Sequence, residues 1–251
     1  MRILFGSTLF LSLALGGTAA AQQSTSLTRS EVTAIRAKIV AVQQAMGADP
    51  AGYVKESEDF NLPTDFNPAK DGKFWPISSG INLRYTDKAS TEGQANAEKA
   101  MEEFQAKYAA AAASGNVQAI TQMTQELQKL QAAALTPPVK KQDLGVNVQL
   151  NQNSSTGIDP AAIVLERAGV IALREKEVSS DRGTVTVYVD PVALKNSSDL
   201  AKIEMQTADD GVASKTGVYH VVIRLDGAVP DLEAWAKSFD YGAILGVIDA
   251  Q

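Results

Sequence analysis

The chain has 251 residues, with 23 Lys and Arg, 29 Asp and Glu, one His and no Cys. The lack of cysteine excludes disulfides, thiolate metal sites and cysteine nucleophiles, and a single histidine excludes metal sites built from several imidazoles. The formal net charge of -6 argues against nucleic acid as a partner, because binding to the phosphate backbone requires a basic surface.

The first 21 residues have the pattern of an export signal. Arg2 is a lone positive charge, Ile3 to Leu15 is an almost continuous apolar run, and Ala19-Ala20-Ala21 supplies the small residues that a signal peptidase accepts. The run is too short to span a bilayer, which takes about 20 residues. We predict cleavage near Ala21, a linker at 22–27 and a periplasmic or secreted mature protein that does not insert into the membrane. The alternative is a buried N-terminal helix.

The mature chain changes composition along its length. Residues 28–134 are rich in the helix formers Ala, Gln, Glu and Lys, whereas residues 144–249 are rich in Val, Thr and Ile, which favour strands. We predict one α+β domain at 28–251, with a mostly antiparallel sheet and packed helices. It contains an inserted antiparallel helical hairpin at about 92–135 and a strand-rich part at about 144–251.

The first predicted helix begins with a capping box. Thr28 can accept a hydrogen bond from the backbone of Glu31, whose side chain can reach back to Thr28. Apolar residues follow at helical spacing, and Gly47 is expected to end the helix. These apolar residues are Val32, Ile35, Ile39, Val42 and Met46.

The segment 49–76 combines five aromatic residues with four prolines and several acids. Prolines disfavour regular structure, whereas the rings resist exposure. We predict either a long ordered loop held to the body by its rings or a surface that binds a ligand or partner, because loops and aromatic residues are frequent at interfaces. Its acids lack the spacing of a calcium-binding loop, so we predict no metal site. The candidate binding residues are Tyr53, Phe60, Phe66, Phe74 and Trp75.

Two apolar stripes at helical spacing flank the turn at 114–116 and predict the hairpin. Its stripes could pack against each other or present a partner-binding arm. The first stripe consists of Ala97, Met101, Phe104, Tyr108 and Ala111, and the second of Ile120, Met123, Leu127, Leu130 and Ala134.

Alternating segments predict the strands. Gly80-Ile-Asn-Leu-Arg-Tyr and Gly145-Val-Asn-Val-Gln-Leu resemble each other, which indicates either a duplicated unit or two ordinary half-buried strands. The other predicted elements are a strand hairpin at 170–178 and 184–189, central strands at 217–225 and 242–248, and helices at 159–169 and 230–239.

The sequence contains no catalytic motif. His220, the single imidazole, lies in a predicted strand, no G-x-S-x-G elbow is present, and the absence of Walker A and G-x-G-x-x-G motifs predicts no cofactor. We predict an exported binding or accessory protein without catalytic residues, which contacts an envelope protein or small ligand through residues 53–75 or the hairpin. The alternative is a carboxylate-dependent hydrolase of a cell-envelope carbohydrate. The sequence does not indicate the oligomeric state.

Overall fold

The fold is taken from a computed structural model of the chain. The described residues are 25–115, 118, 121–125, 127–128, 141–175, 182–205 and 211–249. The predicted export signal and most of the second hairpin helix lie outside them.

The described residues form a seven-stranded antiparallel sheet with several helices, so the α+β class is confirmed. The strand order is β1-β2-β3-β9-β7-β6-β5, and β4 and β8 form a separate two-stranded ribbon. The strands are β1 (Tyr53–Asn61), β2 (Ser79–Asp87), β3 (Leu144–Leu150), β4 (Ser154–Gly157), β5 (Ile163–Arg167), β6 (Val170–Arg174), β7 (Gly183–Val189), β8 (Lys202–Met205) and β9 (Val221–Gly227).

Helices cover one face of this sheet. They are α1 (Arg29–Ala45), α3 (Val229–Ser238) and α4 (Tyr241–Leu245), while α2 (Lys88–Ala113) follows β2 directly. Helix α1 contacts β2 and β3, and α3 contacts β7 and β9. The alternating residues of β2 and β3 point into the core beneath these helices, which confirms the predicted strand faces. They are Ile81, Leu83, Tyr85, Val146, Val148 and Leu150.

The opposite face of the sheet is divided into two halves. Over β6, β7 and β9 it is covered by the β4–β8 ribbon, and a second apolar cluster includes Tyr188, Val222 and Ile203. Over β2 and β3 the same face is polar. Asn82 is exposed there, and the side-chain amide of Asn147 donates to it at 2.6 Å. The helices on one face and the ribbon on the other therefore enclose the two cores. No described element covers the polar face of β2 and β3.

Helix α1 begins as its sequence predicts. The backbone amide of Thr28 donates to the Glu31 carboxylate at 2.7 Å, and the Glu31 amide donates to the Thr28 hydroxyl at 3.3 Å. Ile35, Ile39 and Val42 are buried against the sheet. Gly47, with a positive φ of 80°, follows the end of the helix.

Helix α2 is 26 residues long and includes the first predicted stripe. Of the second predicted helix, residues 118, 121–125 and 127–128 are described, and they are helical. Met123 is buried, as is Ala111 of α2. The antiparallel hairpin itself stays a prediction, since Asn116 of its turn and most of its second helix lie outside the described residues.

The predicted helix at 159–169 is wrong. Asp159 does accept a hydrogen bond from the amide of Ala161, as an N-cap should, but it caps only a 3-10 turn at Pro160–Ala162. The apolar residues that follow become β5, because they pair with β6 and bury one side against the core. Pairing with an available sheet neighbour outweighed the local start signal.

The predicted strand at 242–248 is also wrong, whereas the helix predicted at 230–239 is confirmed as α3. Asp240 accepts a hydrogen bond from the amide of Ala243 at 3.0 Å and starts the short helix α4. Its apolar residues Tyr241 and Ile244 are buried in the main core. A run of apolar residues is compatible with a buried helix as well as a strand, and only the fold distinguishes them.

Strand β9 confirms the prediction of a central strand near 217–225, although it begins later, at Val221. It lies between β3 and β7. Strands β6 and β7 pair antiparallel as predicted, and residues 176–181 of their connection lie outside the described residues.

Candidate functional site

Part of the segment 49–76 is a strand, which corrects the expectation of a loop throughout. Twelve residues without proline separate Pro50 from Pro63, and within them β1 pairs antiparallel with β2. A β-bulge shifts the register between Lys55 and Ser57. Seven of the nine β1 residues are exposed, since among the described strands β1 has a neighbour on one side only. The prolines limit the strand but do not prevent it.

A groove of about 660 Å³ lies between α1 and β1. Its walls come from residues far apart in the sequence, because α1 packs across β2 and β3 while β1 projects beyond the helix. The side chains that characterise it are Arg36, Gln43, Lys55, Glu58, Phe60, Tyr85 and Trp235.

The polar wall of the groove is centred on Glu58. Its carboxylate accepts hydrogen bonds from the Lys55 ammonium at 2.6 Å and from the Gln43 amide at 3.1 Å. The Lys55 bond, then the Gln43 bond, hold the pKa of Glu58 below its usual range. Glu58 is therefore ionised near neutral pH and joins the strand to the helix.

The outer wall combines a ring with a cation. The Arg36 guanidinium carbon lies 4.6 Å from the centroid of the Phe60 ring, within the range of a cation–π contact. The described residues supply no ion pair or hydrogen bond to the Arg36 guanidinium. Among the described residues, its N–H donors are therefore unoccupied.

The inner end of the groove is aromatic. Tyr85 and Trp235 pack edge to face with centroids 5.4 Å apart, and the Trp235 indole N–H donates to the carbonyl of Ala48 at 3.1 Å. Burial, followed by the charge of Asp49, raises the pKa of Tyr85, so the phenol stays protonated. A smaller cavity of about 340 Å³ adjoins this end and shares Asp49 and Trp235 with the groove.

The five predicted binding residues occupy different places. Phe60 lines the groove, and Trp75 is exposed by 43%. Phe66 and Phe74 contact each other edge to face at 5.2 Å. Tyr53 is buried, and its hydroxyl donates to Asp231 at 3.0 Å. The structure thus brings Phe66 and Phe74 together but does not gather all five residues in one site.

Lys215 holds the Phe66–Phe74 pair against the start of α1. Its ammonium lies 3.9 Å from the Phe66 centroid and 5.0 Å from the Phe74 centroid, and it forms an ion pair of 3.3 Å with Glu31. Lys215 was not predicted from the sequence as a contact of these rings. No local signal identifies it, because nearly 150 residues of chain separate it from Phe66.

The groove residues Arg36, Gln43, Lys55 and Glu58 were likewise not predicted as site residues. One signal was present for β1: the run Tyr-Val-Lys-Glu-Ser-Glu-Asp-Phe-Asn joins strand formers to closely spaced charges. Natural edge strands commonly carry such charges. That pattern predicts an exposed edge strand.

Glu58 does not have the environment of a general acid in carboxylate catalysis. The groove contains Asp49 and Glu58 beside aromatic rings, the combination a glycosidase would need. A general acid requires a raised pKa, whereas that of Glu58 is lowered by its partners. His220 is completely buried in the fold, away from any solvent-accessible substrate.

Comparison with known proteins identifies no relative. No family model matches the chain, and neither the curated proteins nor the solved structures contain a significant match. None of the described helices is long and apolar enough to cross a membrane. Within the described part of the chain, no three acidic or imidazole side chains are grouped as a metal site would require.

Proposed function

We propose that this chain is an exported binding or accessory protein without catalytic activity, located in the periplasm or secreted after cleavage near Ala21. It contacts an envelope protein or small ligand through the segment 53–75 or the predicted helical hairpin. One observation carries the proposal. Six large apolar side chains of the described residues are exposed, and four of them lie in these two regions: Val54, Trp75, Met101 and Tyr108.

The exposed side chains on α2 form part of a stripe. Met101, Phe104 and Tyr108 recur at intervals of three and four residues, which places them on one side of the helix. The Phe104 and Tyr108 rings stack at 6.2 Å, and Met101 and Tyr108 are exposed by 38% and 45%. Aromatic and methionine side chains are enriched where proteins bind one another. This stripe therefore supports a contact function better than a structural one.

Affinity capture tests the proposal. The tagged mature protein is incubated with the envelope fraction of the cells that produce it, alongside the variant Met101→Ser/Tyr108→Ser and the variant Trp75→Ser. A matched control, Glu103→Ser/Lys107→Ser, changes two exposed polar residues of the same helix without changing its net charge. We expect the wild type and the control to recover the same partner and at least one apolar variant to lose it.

Three results would contradict the proposal. The first is that the wild type recovers no partner while the purified protein degrades an envelope carbohydrate. The second is equal recovery by all variants, which would exclude the named surfaces. The third is an intact Met1 in the native protein by mass spectrometry, which would exclude export.

A further inference from the structure

Strand β1 lies at one edge of the sheet, and most of its residues are exposed. Alternate backbone N–H and C=O groups of an edge strand point away from its neighbour and can pair with another chain. No described residue pairs with β1 on the side opposite β2. The other edge strand, β5, has five residues against nine in β1, and three of the five are partly buried.

The charge of β1 selects among possible partners. The strand carries the carboxylates of Glu56, Glu58 and Asp59 but only one cation, Lys55. Because Lys55 is paired with Glu58, Glu56 and Asp59 are left without an ionic partner among the described residues. Opposite charges across a strand pair stabilise it, and like charges destabilise it. The edge therefore favours a basic strand and disfavours β1 of a second copy.

The groove provides room for side chains of such a strand. An added strand would lie about 4.8 Å from β1, with every second side chain on the α1 side of the sheet. On that side β1 adjoins the groove of about 660 Å³, where Phe60 offers an apolar surface. Backbone pairing supplies affinity in this mode of recognition, and pockets beside the edge supply specificity.

We propose that β1 accepts an extended segment of a partner protein, with basic residues alternating with apolar ones, as an eighth strand of the sheet. This inference rests on the proposed binding function and specifies its partner. The added strand would pair with β1 between Val54 and Asn61, a surface that is distinct from the apolar stripe of α2.

A synthetic peptide tests this inference. The probe is a capped peptide in which lysine and valine alternate over the length of β1, and binding to the full protein is measured by calorimetry. The edge variant Glu56→Lys/Asp59→Lys should bind about tenfold more weakly or not at all, because two favourable cross-strand charge pairs become unfavourable. Both positions are exposed, and circular dichroism checks that the variant is folded.

Two controls separate strand addition from general charge attraction. The variant Glu102→Lys/Glu103→Lys changes the net charge by the same amount on α2, and it should bind like the wild type. Two further peptides are N-methylated at every second residue, in one register or the other. One of them should lose binding, because its methyl groups replace the amide hydrogens that would bond to β1. The other carries its methyl groups on the amides that point away from β1 and should retain binding.

Several outcomes would overturn the inference. They are no binding of the peptide to the wild type, equal weakening in the edge and α2 variants, and equal binding of both methylated peptides. A wild-type dimer that sedimentation detects and the edge variant lacks would indicate a second copy of this chain instead. If affinity capture recovers one partner equally with the wild type and the edge variant, this inference fails while the proposed function stands.

Discussion

Strands β9 and β1 belong to the same sheet but have opposite environments. Strand β9 lies between β3 and β7, and Val221, Ile223 and Leu225 are completely buried beneath the helices. Within the described part of the chain, strand β1 pairs only with β2, and seven of its nine residues are exposed. The difference indicates that the centre of the sheet provides stability, whereas its edge is free to make contacts, because few buried groups depend on it.

Truncation in the centre should have the largest effect. Ile223→Ala removes completely buried methyl groups from β9 and is expected to lower the free energy of unfolding by about 2–5 kcal/mol. Val54→Ala truncates an exposed residue of β1 and should change the free energy of unfolding by less than about 0.5 kcal/mol. Urea unfolding monitored by circular dichroism measures both. Similar losses in the two variants would contradict the proposed division between centre and edge.

Gly80 of β2 and Gly145 of β3, which occupy matching positions in two similar sequences, provide the next test. A Cβ at Gly80 would clash with the carbonyl oxygen of Val148, whereas one at Gly145 would meet only the Asp226 Cβ at 3.7 Å. Gly80→Ala should lower the free energy of unfolding by about 1–3 kcal/mol, as overpacking does. Gly145→Ala should leave it unchanged or raise it by up to about 1 kcal/mol. Equal effects in thermal unfolding would show that β2 and β3 accommodate a methyl group alike.

Protonation of His220, which directly precedes the central strand β9, should lower the free energy of unfolding at acidic pH. Its Nε2–H donates to the carbonyl of Gln152 at 2.9 Å, and its Nδ1 is buried without a partner among the described residues. Burial lowers the pKa of His220 below the ordinary 6.5, and the bond to Gln152 and the charge of Asp190 offset this in part. The unfolded chain therefore binds the proton more readily. Stability is unaffected above about pH 6.5 and falls at lower pH, until the folded-state pKa is reached.

The slope of this loss is at most about 1.4 kcal/mol per pH unit for one group. Urea unfolding between about pH 5 and 7 measures it, above the range in which most carboxylates titrate. The variant His220→Gln keeps a neutral side chain and should lose most of the pH dependence in this range. An unchanged slope in the variant would assign the acid sensitivity to other groups.

The ion pair at the edge should contribute little to stability. Glu58→Gln removes the ion pair with Lys55, in which both side chains are about one-third exposed. Exposed ion pairs contribute little, so the free energy of unfolding should change by less than about 1 kcal/mol. Chemical unfolding at low and high salt measures this change. A loss comparable to that of Ile223→Ala would mean that β1 contributes to the stability of the whole sheet.

Local patterns predicted the elements whose signals are short-range. The Thr28–Glu31 capping box and the spacing of Ile35, Ile39 and Val42 identified α1, and alternation identified the buried faces of β2 and β3. The errors arose where one pattern suits two structures. The apolar residues after Asp240 are buried in a helix, and those after Pro160 pair with β6. In both places the sheet neighbours available in the fold decided the outcome.

The candidate site was predicted only in part for a related reason. Phe60 was identified from the aromatic content of its segment, but its cation, Arg36, lies on α1 and Trp235 lies on α3. Amphipathic spacing places Arg36 on the polar side of its helix and cannot show which ring it contacts. Tyr53, chosen on the same grounds as Phe60, is buried with its hydroxyl bonded to Asp231.

The sequence by itself determined the properties that depend on composition and neighbouring residues: the acidic balance, the lack of cysteine chemistry, the α+β class and the start of α1. Only the tertiary structure decided which strand became an edge. Strands β1 and β9 each contain strand-forming residues, yet one has a single neighbour and the other has two. Strand order depends on contacts between distant parts of the chain, and those contacts also bring Arg36, Phe60 and Trp235 to one groove.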